Sequence, residues 1–317
     1  MESPANTPKT LLEAIRYFSD LDVAVQFFAG LRWPDGPTCP ACGLVDEKHY
    51  YLKTRRVWKC RSCKKQFSVK VGTIFGDSPL GLDKWLPAVW LIANCKNGIS
   101  SYELAKDLGI QQKSAWFMLH RIRLAMQTGT FEKLSGQVEA DETFISGKAR
   151  NMHKSKREEK IAGRGTSGKV AVMRLLERYG KVKAKVVPDT KSRTLQVEIR
   201  ENVAPGSEVH TDALRSYRGL DPEYVHNVVD HAEQYVNGHV HTNGLENFWS
   251  LLKRGIKGTY VSVEPYPLFH YLDEQAFRFN ERGGEDRDRF AKTLGSVAGR
   301  RLTYDELTGN SVDLERA

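Results

Sequence analysis

Four cysteines constrain the folding of this chain more than any other feature. They stand in two C-x-x-C pairs, Cys39-Pro-Ala-Cys42 and Cys60-Arg-Ser-Cys63, separated by 17 residues. Each pair suits a tight knuckle that turns two thiolates toward one ion. Four sulfurs with no open position make a structural, tetrahedral Zn²⁺ site. An iron centre with the same ligands, or reduced free thiols, are the other readings of this spacing. Five cysteines in so long a chain do not suggest a disulfide framework. Between the pairs, HYYLKTRRVWKC alternates as a β-hairpin does. The expected element is a zinc ribbon over residues 37–78, in which one bound ion replaces the core that so small a domain cannot build. Cys95, on an apolar helical segment, reads as a small buried hydrophobe.

A chain of 317 residues suits two or three domains. Its net charge of +9 favours a polyanionic partner. The charge is concentrated: eight Lys/Arg against two Glu lie between Lys148 and Lys169. That stretch reads as a basic loop, with Lys148, Arg150, Lys154, Lys156 and Arg157 as candidate phosphate contacts; a solvated linker is the alternative. Around the ribbon, Arg55, Arg56, Lys59, Lys64 and Lys65 are candidate contacts to a DNA backbone. No segment approaches the roughly 18 apolar residues of a membrane span. The mixed-charge first 20 residues are unlike a signal peptide. A cytoplasmic protein with no membrane partner is expected.

Residues 1–36 read as helical. Within 79–135, SSYELAKDLGI followed by QQKSAWFMLHRIRLAM has the cadence of a helix–turn–helix, with Ser100 or Ser101 capping, Gly109 at the turn and Gln111–Ala125 as second helix. Lys113, Arg121 and Arg123 are its candidate DNA contacts; a purely packing helix pair is the other reading. From Gly136 to residue 282, VEADETFI, KVAVMRLLE, KVKAKVVPD, EVHTD and YVHNVV read as strands. TLQVEIRENV, Asn243 to about Ile256, and roughly Pro267 to Asn280 read as helices. Such an order suggests an α/β domain with a mixed five-stranded sheet. Residues 283–317 read as a small helical appendix. The whole is multidomain α+β.

Three carboxylates carry the chemistry. Asp141 and Asp212 end segments that read as strands, and Glu246 sits on a helix with Lys253 two turns on. Strand alternation sends Asp141 and Glu142 to opposite faces, so only one belongs to a converging site, and Asp141 is the choice. On the helix, Phe248, Trp249, Leu252 and Ile256 form an apolar stripe with Leu245, and read as core. Asn243, Glu246, Ser250 and Lys253 share another face. Asn243 and Glu246 also fit a capping pair, which leaves Lys253, Arg254 and Lys257 unexplained. His210, His239 and His241 read as hydrogen-bonding or packing groups.

The order Asp141, Asp212, Glu246 and Lys253 resembles the DDE transposases. HTDALRSY and HTNGLENFWSLLKRGIKGTYVSV, with the cysteine ribbon upstream, resemble bacterial insertion-sequence transposases of the ISXO type. This resemblance implies an RNase H-like core and a two-metal reaction with Mg²⁺ or Mn²⁺. Asp141 would bridge both ions, Asp212 hold one and Glu246 the other, and Lys253 would contact a phosphate. Relatives of this type often carry Asn at the third position, so Asn247 is the alternative ligand. The implied partners are double-stranded DNA, as element ends and target, and further copies of the chain, as a homodimer or larger assembly. The implied activity is binding of terminal inverted repeats, hydrolysis and strand transfer in a bacterial nucleoid. A non-catalytic DNA-binding regulator and a nuclease that cuts without joining are the rival readings.

Overall fold

The structure is a computed structural model; it describes residues 7–127, 132–145, 154–155, 168–221, 223–229, 243–261, 263 and 267–309. The chain divides into two compact units, Met1–Met126 with Gly283–Ala317, and Gln127–Arg282. The C-terminal segment expected as an appendix belongs to the first unit.

In the first unit, α1 (Leu11–Phe18) and α2 (Leu21–Arg32) start at Thr10 and Asp20, whose side chains accept N–H groups of the first turn. The strands β1 (Tyr50–Leu52), β2 (Val57–Lys59) and β3 (Gln66–Phe67) pair antiparallel in that order. Helix α3 (Leu82–Asn94) runs through the middle and buries Trp85, Leu86, Val89, Trp90 and Ile92. Helices α4 (Ser101–Leu108) and α5 (Gln112–Met126) make the expected corner. Ser100 and Glu103 form a reciprocal cap. Gly109 ends α4 at φ +62°, a left-handed conformation that favours glycine. Helix α9 (Asp286–Gly295), reached after the second unit, packs on α3. Phe290 is fully buried there, with ring centroids 5.7 Å from Phe18 and 5.1 Å from Trp90. A short helix α10 (Tyr304–Thr308) follows.

The second unit is a five-stranded mixed sheet. Its strands are β4 (Gln137–Ile145), β5 (Val170–Glu177), β6 (Val182–Val187), β7 (Glu208–Asp212) and β8 (Val225–Val229), in spatial order β6-β5-β4-β7-β8. β4, β5 and β6 pair antiparallel; β7 is parallel to both β4 and β8. Helix α6 (Ser192–Asn202) links β6 to β7. It covers one face of the sheet, where Val138, Ala140, Met173, Leu175 and Val209 meet Leu195, Ile199 and Tyr217. Helices α7 (Asn243–Arg254) and α8 (Leu268–Asn280) cover the other, where Val172, Leu176 and Val182 meet Phe248, Trp249, Leu252 and Leu272. β5 is therefore buried on both faces, which explains its nearly continuous apolar run. Each large side chain so buried contributes about 1.5–3 kcal/mol. A π-turn over Gly255–Thr259 extends α7, and Tyr260 behind it hydrogen-bonds the buried Glu274 of α8, which also pairs with Arg278.

Candidate active site

The parallel pairing of β4 and β7 brings two acids together. Glu139 pairs with His210, and two residues further along each strand stand Asp141 and Asp212. With a side-chain period of two, both face the α7 side with Glu139. Asp141 is half-buried; its Oδ2 accepts the indole N–H of Trp249 at 2.7 Å. Burial raises the Asp141 pKa, the Trp249 bond and the Arg174 charge lower it, and the Asp212 charge raises it. The sum is upward. Oδ1 of Asp212 accepts the N–H of Leu214 at 3.1 Å, which turns the chain out of β7.

Glu142 leaves β4 on the opposite face and accepts the hydroxyl of Tyr217 at 2.5 Å. Burial is the main cause that lifts its pKa to about 7; Tyr217 opposes it, and the charges of Asp212 and Asp141 add to it. The sequence reading set Glu142 aside because it points away from Asp141. From β4 it nevertheless feels the charges of both aspartates. Arg174, opposite Asp141 on β5, is fully buried, and its guanidinium lies 4.2 Å from the Trp249 ring centroid. Burial drives its pKa down to about 9 against the charges of Asp141 and Glu139. Arg174 had a sequence signal, a lone cation in a run with apolar residues on both faces. Tyr217 stands in HTDALRSY and Glu142 beside Asp141, but no local pattern pairs the two.

Glu246 lies on α7, one helical turn before Trp249, and its side chain falls outside the described residues. The Trp249 bond to Asp141 ties α7 to β4. Lys253, Arg254 and Lys257 are exposed on the last turn and the π-turn beyond. His210 is buried 3.3 Å from Glu208; His239 and His241 lie outside the described residues. Half-buried carboxylates whose charges raise one another's pKa offer hard oxygen donors of the kind that Mg²⁺ or Mn²⁺ prefers.

In the first unit the four cysteine sulfurs all lie within 4.8 Å of one another. Cys39 and Cys63 are 3.6 Å apart, as are Cys42 and Cys60. A zinc tetrahedron with Zn–S of about 2.3 Å places its sulfurs about 3.8 Å apart, so the geometry fits. Each knuckle turns at a positive φ four residues after its first cysteine, at Gly43 (+73°) and Lys64 (+61°). Burial raises the Cys39 thiol, but the backbone around Ala41 and Cys42 bonds its thiolate and brings it down to about 7.

The candidate DNA contacts separate. Lys64, Lys65, Arg55 and Lys113 are exposed, and Lys59 is half-buried. Arg56 is 2.5 Å from Asp22. Lys154 is exposed; Lys148, Arg150, Lys156 and Arg157 lie outside the described residues. Arg121 and Arg123 are corrected: both are buried. Arg121 donates to the carbonyl of Gly76 and lies between the rings of Trp85 and Phe117. The C-terminal half of α5 faces the core, so only its first turns are open to a duplex.

No helix among the described residues is long and apolar enough to cross a membrane. Comparison with known proteins gives the family. Residues 133–280 match the ISXO2-like transposase domain, and residues 20–66 match a transposase zinc-ribbon domain. A relative described as an uncharacterized protein in transposable element ISH50 of Halobacterium salinarum is 29% identical over 273 residues, 80% of this chain and 91% of the relative. An uncharacterized transposase-like protein of Haemophilus influenzae is 41% identical over 102 residues, 32% of this chain and 81% of the relative. With its cysteine ribbon and its carboxylate-bearing mixed sheet, the chain belongs to the ISXO2-like transposases.

Proposed function

We propose that this transposase binds the terminal inverted repeats of its element, cuts there and joins the freed ends to target DNA. The observation that supports the reading is that Asp141 and Asp212 stand on neighbouring parallel strands, where the Asp212 charge acts on Asp141, with α7 tied to Asp141 through Trp249. Asp141, Asp212 and Glu246 would together hold the divalent cations. When bound, Mg²⁺ or Mn²⁺ neutralises the phosphodiester and activates a nucleophile at neutral pH. In the cut, a water oxygen bonds phosphorus and the P–O3′ bond breaks, which frees a 3′-hydroxyl. In the join, that hydroxyl attacks a target phosphodiester and a target 3′-hydroxyl leaves. Lys253, with Arg254 and Lys257 beside it, would hold the anionic strand near the acids. Lys64, Lys65, Arg55 and Lys59 on the ribbon, and Lys113 on α5, would hold the backbone of the element end. Pairing two ends requires at least two copies of the chain.

The test is strand transfer by purified protein with Mg²⁺ and labelled element ends. Joined product should form, and Asp141→Asn or Asp212→Asn should lower its rate on the order of 100-fold or more. Cleavage without joining points to a nuclease, and end binding without metal-dependent product points to a regulator. Glu246→Gln with undiminished activity removes Glu246 as third ligand and turns attention to Asn247.

A further inference from the structure

We propose that Trp249 and Arg174 are positioning residues that hold the Asp141 carboxylate for its cation. The inference rests on the reading of Asp141 as a metal ligand. Three observations converge. The indole N–H of Trp249 donates to Oδ2 of Asp141 at 2.7 Å, across 108 residues of sequence. That bond anchors one oxygen of the carboxylate. The Trp249 ring is itself fixed, because the Arg174 guanidinium lies 4.2 Å from its centroid and 4.9 Å from that of Phe248.

Arg174 has no simpler explanation. It is fully buried, and none of its three guanidinium nitrogens has a hydrogen-bond partner among the described residues. A buried charge without hydrogen bonds is costly, and a Met in its place would fill the same space without that cost. The opposite charges acting on Arg174 are Asp141 and Glu139, and Glu139 already accepts Arg178 at 2.9 Å. Asp141 is the direct cross-strand neighbour of Arg174 on the same face. Arg174 is therefore a planar cation laid under Trp249 and beside Asp141. It offsets the charge of the carboxylate and keeps the indole N–H aimed at it. Outer partners of metal-binding carboxylates act in this way, and their loss typically costs 10–100-fold in metal affinity.

The experiment measures Mn²⁺ binding by the full-length, zinc-loaded protein without DNA, from loss of the free-ion electron paramagnetic resonance signal. Trp249→Phe keeps an aromatic ring on Arg174 but lacks the donor; it should weaken Mn²⁺ binding about 10-fold or more. Leu252→Val, in the same apolar cluster, should leave binding unchanged. Arg174→Lys keeps the charge and removes the planar stack; it should weaken binding in the same direction, and it carries the test if Trp249→Phe fails to fold. A folded Trp249→Phe, or a folded Arg174→Lys in its stead, that binds Mn²⁺ as tightly as Leu252→Val overturns the proposal. Asp141→Asn separates the two layers. If it too binds Mn²⁺ normally, the ligand reading of Asp141 fails; if it alone loses Mn²⁺, only the positioning roles fail.

Discussion

Cys60 shows how much one residue decides when its function is local. Its thiol lies 3.6 Å from that of Cys42, and its backbone N–H is held by the carbonyl of Lys65 at 2.9 Å. Cys60→Ser, or treatment with a strong chelator, should drop zinc below one per chain and open residues 37–67 to protease, with end binding weakened; zinc analysis and limited proteolysis check this. The C-x-x-C spacing was legible because each knuckle is closed by bonds over a few residues. Trp249 was only half legible. Its place in an apolar stripe marked it as core, and it is core. Its bond to Asp141 depends on how α7 crosses β4, which no local pattern encodes. The same holds for the Tyr217 bond to Glu142, 75 residues apart.

At the scale of elements, α4 and α5 illustrate both sides. The start of α4 follows from Ser100 and Glu103: Glu103 N–H to the Ser100 hydroxyl at 3.2 Å, and Ser100 N–H to the Glu103 carboxylate at 3.0 Å. Ser100→Ala should cost about 1 kcal/mol of stability in thermal or urea unfolding. The Ser100 backbone N–H holds the Glu103 pKa below its ordinary value. A depressed folded pKa stabilises above the unfolded value of 4.5 and ceases to do so as pH falls through the folded value. Unfolding midpoints taken between pH 6 and about pH 3 should therefore fall less for Glu103→Gln than for the native chain. The reading of α5 as an element was right in extent but not in exposure. Arg121 and Arg123 sit in a helix whose periodicity is compatible with either face inward. Packing within the first unit buries them, Arg121 beside Trp85 of α3, and α5 meets solvent mainly at its start.

On the scale of the whole molecule, the first unit is built from both ends of the chain. Phe290, on α9, fills a space between Phe18, Phe27 and Trp90. Val297 O accepts Ile74 N–H at 3.0 Å, and Gly72 O accepts Gly299 N–H at 2.9 Å. Phe290→Ala should cost about 3–5 kcal/mol. The loss should appear in the unfolding of the ribbon-bearing unit, read by hydrogen exchange, and spare the five-stranded sheet. Residues 283–317 read as an appendix because helical amphipathicity shows that a face is apolar without showing what covers it. What the sequence alone determined was everything closed within a few residues: the cysteine knuckles, the Ser100 and Gly109 ends of α4, the strand alternation that turns Asp141 and Glu142 apart. The tertiary structure decided which acids meet, which arginines are buried and where the C-terminal segment packs. Those outcomes depend on strand register and on the faces that helices share, and both are set by contacts between residues far apart in the chain.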